Sequence, residues 1–181
     1  DLRLFGEPSW SNSSLLAMTI PLNHTTSNLV KQFNNLIDVE LYMRLEDLMG
    51  RPLRDLRISV TDRCNFRCTY CMPKEHFDSN HNFLPKSQII SYEEIILIVR
   101  SMLPLGLSKV RITGGEPLLR KDICSLISMI RNLDENLDIA MTTNGVLLKN
   151  RIESLKESGL DRVTVSLDAI DNDLFQEITD S

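Results

Sequence analysis

A run of apolar residues long enough to cross a bilayer is missing from this 181-residue sequence. A membrane helix needs about 20 such residues, and the richest stretch, EEIILIVRSMLPLGL at 93–107, is interrupted by Arg100 and Pro104. A surplus of positive charge is missing too. The 20 Lys and Arg stand against 25 Asp and Glu, a net charge of −5, so nothing global points to a polyanion such as nucleic acid. Basic residues are scarce at the front: before residue 31 only Arg3 occurs, and Asp1 and Glu7 are present, so the opening does not read as a transit peptide. Cysteine is scarce as well, four residues in all, and three of them, Cys64, Cys68 and Cys71, share one short stretch. Neighbours that close cannot brace distant parts of a chain, which makes a secreted disulfide framework a poor reading and a reducing, cytoplasmic setting a better one.

What is present is the composition of a soluble globular protein, 42% hydrophobic and 25% charged. Residues 1–47 have their own texture, SWSNSSLLAMTIPLNHTTSNLVKQFNN, rich in Ser, Asn and Thr and without a sustained period. They are expected to form a poorly ordered extension with one short helix near 36–48. Met18 is a candidate internal start, and His24 has no partner that can be named.

Residues 48–181 are regular. Four apolar-alternating runs, LRISVTD (56–62), KVRITGG (109–115), LDIAMTTNG (137–145) and DRVTVSLDA (161–169), have strand composition and period two. Helical patterns lie between them. Over 91–103, Ser91 and Glu94 have the spacing of a capping box ahead of Ile95, Val99 and Met102. A second helix is expected near 122–132 with Ile123, Leu126, Ile127 and Ile130 on one face, and a third over 149–158 that stops at Gly159. The chain is expected to stop inside a fourth helix, at QEITDS.

Such alternation means parallel βαβ units, in either a doubly wound sheet or a (β/α) barrel. The strand faces favour the barrel. One face carries Leu56, Ile58 and Val60; Val110 and Ile112; Ile139 and Met141; Val163, Val165 and Leu167. The other carries Arg57, Ser59 and Thr61; Arg111 and Thr113; Ala140, Thr142 and Asn144; Thr164, Ser166 and Asp168. A polar inner face suits a barrel whose lumen binds a ligand. The fold class is therefore α/β, a partial TIM-type barrel of about four βα units, too few to close.

Three thiols at Cys64, Cys68 and Cys71 leave a four-ligand site one short. A structural zinc ion completed by His76 is one reading. Against it, the spacing is not the paired C-x2-C of zinc ribbons, and the cysteines follow the first strand, at the end where such folds place active sites. The other reading is a [4Fe–4S] cluster held by three thiolates, with one iron open to a substrate or cofactor. Five arginines at 51, 54, 57, 63 and 67 stand against Asp55 and Asp62, a local balance of +3. They form a solvated basic patch or face a phosphorylated small molecule.

Cys64-x3-Cys68-x2-Cys71, with Tyr70 before the third cysteine, resembles the signature of the radical S-adenosylmethionine (SAM) superfamily. GGEP at 114–117, after the second strand, matches that superfamily's SAM-amine motif. With GRPLRDLRISVTDRCNFRCTYCMP, RITGGEPLLRKD, TTNG and VSLDA, residues 48–181 are similar to the GTP 3′,8-cyclase family of molybdenum cofactor biosynthesis. The resemblance implies a radical SAM barrel fold and a lyase. Cleavage of SAM yields a 5′-deoxyadenosyl radical that takes hydrogen from C3′ of GTP, and attack on C8 gives 3′,8-cyclo-7,8-dihydro-GTP. It further implies cluster ligation by Cys64, Cys68 and Cys71, SAM contacts from Tyr70, Gly114, Gly115, Glu116 and Ser166, and GTP contacts from Arg57, Arg111 and Thr142. An electron donor such as flavodoxin or ferredoxin, and a homodimer at full length, belong to the same expectation.

The family carries a second three-cysteine motif, and a second [4Fe–4S] cluster, in its C-terminal part. Here only Cys124 follows Cys71. The chain accordingly reads as an N-terminal fragment, inactive by itself. Another radical SAM enzyme acting on a peptide or tRNA, and a non-catalytic zinc or iron–sulfur binding module, remain as alternatives. Arg57 and Arg111 as ion-paired residues, and Thr142 and Ser166 as bonds between strands, are the plainer readings of those positions. Asp168 and Asn144 are lumen polars without a role, and Cys124 is a small, partly buried helix residue.

Overall fold

A computed structural model describes residues 46–180. Of the extension expected over 1–47, only Glu46 and Asp47 are described, and Glu46 forms an isolated antiparallel bridge with Pro52. Met18, His24 and the body of the helix expected near 36–48 lie outside the described residues.

Four strands, β1 (Asp55–Ser59), β2 (Lys109–Thr113), β3 (Asp138–Thr143) and β4 (Arg162–Val165), form one parallel sheet in the order β1-β2-β3-β4. The helices are α1 (Tyr92–Met102), α2 (Ile123–Arg131), α3 (Ile152–Glu157) and α4 (Asn172–Thr179). Sequential order without a reversal leaves no topological switch point, which distinguishes this open array from a doubly wound sheet. It is a partial TIM-type α/β fold, as expected from the strand faces.

The register puts Leu56, Val110 and Ile139 in one row and Ile58, Ile112, Met141 and Val163 in the next. α1 and α2 cover this face with Ile95, Val99, Met102, Leu126, Ile127 and Ile130, all in the buried core. α1 begins with a complete capping box: Ser91 Oγ accepts from Glu94 N at 3.2 Å, and Glu94 Oε2 accepts from Ser91 N at 2.8 Å. Three helices start or stop within two or three residues of their expected bounds. The fourth is not cut short: α4 ends at Thr179, and Asp180, in the left-handed region at φ 49°, caps it.

Two corrections concern the strands. Each is shorter than its alternating run, because Val60–Thr61, Gly114–Gly115 and Asn144 leave the ladder to form the loops above the sheet. On β4 the expected apolar face is not covered: Val165 is 47% exposed, and Leu167, just beyond the strand, 63%. No helix of the described residues is long and apolar enough to cross a membrane.

Candidate functional site

The cysteine loop springs from β1 and is pinned by backbone. Val60 N donates to Thr113 O at 2.9 Å, Gly115 N to Thr61 O at 2.8 Å and Glu116 N to Arg63 O at 2.8 Å. The contact is so close that only glycine fits. A Cβ on Gly115 would lie 2.3 Å from Arg63 O, and one on Gly114 2.7 Å from Thr61 O. The glycines thus bring the two motifs together, in addition to any approach they permit to a ligand. Arg67 braces the loop from within, donating through Nη1 to Cys64 O at 3.0 Å and Phe66 O at 2.8 Å, and through Nε to Phe77 O at 2.9 Å. Arg51 pairs with Asp47 at 2.6 Å. The five arginines counted as one patch therefore do different work.

On its other side the loop docks on α4. Arg67 N and Thr69 N donate to Thr179 O and Ile178 O, each at 3.0 Å, and Phe66 meets Phe175 edge to face at 5.7 Å. The C-terminal carbonyls of a helix lack partners within it, and the loop supplies two.

A cavity of about 360 Å³ opens where β1 and β2 end, lined by Thr61, Cys64, Cys71, Met72, Gly114 and Gly115 on one side and by Phe77, His81 and Phe83 on another. His81 packs between the two phenylalanines, its ring 4.6 Å from Phe77 and 4.7 Å from Phe83. All three clustered cysteines are free thiols. Burial first, then the neighbouring Cys71, Asp168 and Cys64, push the Cys68 thiol up to about 11, and burial is also the main cause that raises Cys71. A bound cation would invert that penalty by favouring thiolates. Among the described residues no three His, Cys, Asp or Glu side chains converge on a single ion. Cys64 and Cys71 line the cavity and Cys68 is buried in the same loop, a soft donor set that suits an iron–sulfur cluster.

Gly114 and Gly115 share this cavity with Cys64 and Cys71, whereas Glu116 does not line it. Glu116 is fully buried, and its carboxylate accepts from Leu118 N at 2.9 Å, Thr143 Oγ1 at 2.8 Å and Asn144 N at 2.8 Å. These bonds tie the carboxylate to the end of β3 and the residue that follows it. Tyr70 and Ser166 stand apart from the cavity at the β4 rim. Tyr70 is 65% exposed, its hydroxyl 3.1 Å from both Asp168 oxygens, and burial with that contact pushes its phenol well above the usual range.

Arg57 and Arg111 are register partners on the polar face. Arg111 Nη1 donates to Thr142 Oγ1 and Thr164 Oγ1, both at 3.2 Å. Neither arginine pairs with a carboxylate among the described residues, while Lys109 pairs with Asp55 at 2.7 Å and Arg162 with Asp138. The ion-paired reading of Arg57 and Arg111 therefore does not hold within the described residues.

Sequence reasoning missed Arg120, which donates to Val60 O at 2.6 Å and Ile90 O at 2.8 Å and stacks 4.9 Å over Tyr92. It also missed the Phe77–His81–Phe83 wall, whose spacing in an irregular loop has no period to betray it.

A sequence profile of the radical SAM superfamily matches residues 58–180. Among curated relatives, the GTP 3′,8-cyclase of Staphylococcus haemolyticus is 55% identical over 135 residues, covering 75% of this chain and 40% of the relative. That of Staphylococcus carnosus is 54% identical over the same shares. This chain thus spans about 40% of the length of these relatives. Among solved structures, BtrN in complex with AdoMet and 2-DOIA superposes with a TM-score of 0.52 at 21% identity, over 75% of this chain and 52% of BtrN. Streptococcus suis SuiB bound to precursor peptide SuiA gives 0.53 at 20% identity, over 84% and 38%. At that identity the two structures speak for the fold alone. Membership implies a [4Fe–4S] cluster and SAM, which the three thiols and their cavity suit: the chain belongs to the radical SAM superfamily.

Proposed function

We propose that this chain carries the cluster and SAM half of a GTP 3′,8-cyclase, the enzyme that converts GTP to 3′,8-cyclo-7,8-dihydro-GTP in the first step of molybdenum cofactor biosynthesis. Cys64, Cys68 and Cys71 hold the cluster. Gly114 and Gly115 present backbone to the methionine end of SAM, and Tyr70 and Ser166 approach its nucleoside end from the β4 rim. When bound, the cluster supplies one electron for reductive cleavage of SAM. The protein's share is to position the reactants and exclude water, and the Phe77–His81–Phe83 wall serves the latter.

The observation that carries the substrate reading is the Arg57–Arg111 pair. Like charges directly opposite on adjacent strands are destabilising, and an anion between them reverses the sign. Arginines at paired positions on the polar face suit the oxygens of a triphosphate, since each planar fork can bind two oxygens. Thr142, held by Arg111, adds a hydroxyl to the same face. The high identity to cyclases of this name supports GTP over a peptide or tRNA. Residues 1–47 form an extension to this half. A second cluster belongs to the C-terminal part of the family that this chain does not span, an electron donor such as flavodoxin or ferredoxin and a homodimer at full length are its partners, and the cytoplasm is its setting.

Titration of GTP into the cluster-loaded whole protein tests the reading. Arg57→Ala and Arg111→Ala are each expected to weaken binding by about 1.5–3 kcal/mol, the range for a hydrogen bond to a charged group, with iron content unchanged. Unaltered affinity in both variants would end the triphosphate role.

A further inference from the structure

Asn144 follows β3 and has no part in the function derived above, yet every polar atom of its side chain is oriented. Its Oδ1 accepts from Val146 N at 3.2 Å, which fixes the amide so that Nδ2 faces the cysteine loop. There Nδ2 donates to Asn65 Oδ1 at 2.9 Å and lies 3.9 Å from Cys64 Sγ, within reach of a weak N–H to sulfur bond. Its backbone N donates to Glu116 Oε2 at 2.8 Å, and Glu116 N donates in turn to Arg63 O at 2.8 Å. The segment Arg63–Asn65 is therefore gripped from both sides by one chain of hydrogen bonds that begins and ends on residues flanking Cys64. Phe66 N, 3.5 Å from the same sulfur, is a second donor, but it comes from the loop itself. Among the described residues, Asn144 is the donor to this sulfur that comes from outside the loop, from the end of β3.

We propose that Asn144 is a positioning residue for Cys64 whose side-chain N–H sets the reduction potential of the cluster. Hydrogen bonds to ligating sulfurs are among the determinants of iron–sulfur potentials, and partners outside the ligand set orient the ligands. Reduction adds an electron to a group whose negative charge is shared with its sulfurs. A donor at Cys64 Sγ favours the reduced state over the oxidised one, and its loss moves the midpoint to more negative values. The inference rests on ligation of the cluster by Cys64.

The test is a redox titration followed by electron paramagnetic resonance on the reconstituted protein and on Asn144→Ala and Asn144→Asp. Asn144→Ala removes the donor. Asn144→Asp removes it, keeps an acceptor for Val146 N, and adds charge. The expected result is unchanged iron content with a more negative midpoint in both, and the larger shift in Asn144→Asp. A midpoint in Asn144→Ala equal to that of the unaltered protein would overturn the proposal. So would loss of iron from both variants, because a residue that tunes the potential leaves the cluster in place. Absence of a [4Fe–4S]⁺ signal from the unaltered protein would instead reject the cluster reading on which the inference stands.

Discussion

Cys64, Cys68 and Cys71 share one spacing signature but three environments: half-buried, buried and exposed. Their roles are nevertheless expected to be equivalent, since a cluster held by two thiolates is too weakly bound to persist. Cys64→Ala, Cys68→Ala and Cys71→Ala should each lose iron and visible absorbance, while Cys124→Ala, on the far helix α2, should retain both. Equal iron loss from Cys124→Ala would contradict the assignment. These residues were legible because their chemistry is carried by type and spacing along the chain. Glu116 was legible in position, but its hydrogen-bond partners were not. Its motif is recognisable, but burial and the partners Thr143 and Asn144 come from a strand 27 or 28 residues away, and nothing local announces a carboxylate with both oxygens satisfied. Arg120 went unread for the same reason, as its acceptors, Val60 O and Ile90 O, lie 60 and 30 residues away.

At the level of elements, period two and period 3.6 located four strands and the first three helices, and the capping box at Ser91 marked the start of α1 to the residue. The ends were less legible, because the last residues of each run trade ladder pairing for the loops that build the site. The interlock of the β2 loop with the cysteine loop is the sharpest consequence. Gly115→Ala places a Cβ 2.3 Å from a backbone oxygen that cannot move without moving Cys64. The variant is expected to keep its helical circular dichroism and lose most of its iron on reconstitution. Full iron content in Gly115→Ala would show that the loop adjusts freely and that the close approach has no bearing on the cluster. The docking of Arg67 N and Thr69 N on α4 was invisible in the sequence, since backbone groups carry no signature of their partners.

Across the whole molecule, the order of the sheet leaves β1 and β4 at its edges among the described residues. Beside β4, Val165, Leu167, Ile170 and Leu174 are 47%, 63%, 94% and 46% exposed. An unpaired strand edge next to apolar side chains is a template for association. The 181-residue chain is therefore expected to elute from size exclusion as oligomers, with concentration-dependent mass by light scattering. A monodisperse monomer with a sharp cooperative melt would mean that this edge is covered. The central claim is that three cysteines of this chain hold a cluster with one iron open to SAM. The measurement that tests it most directly is electron paramagnetic resonance of the anaerobically reconstituted, dithionite-reduced chain, recorded with and without SAM. The expected result is a [4Fe–4S]⁺ signal whose g-values change when SAM is added. A colourless, zinc-loaded protein, or a cluster signal that SAM leaves unaltered, would contradict it.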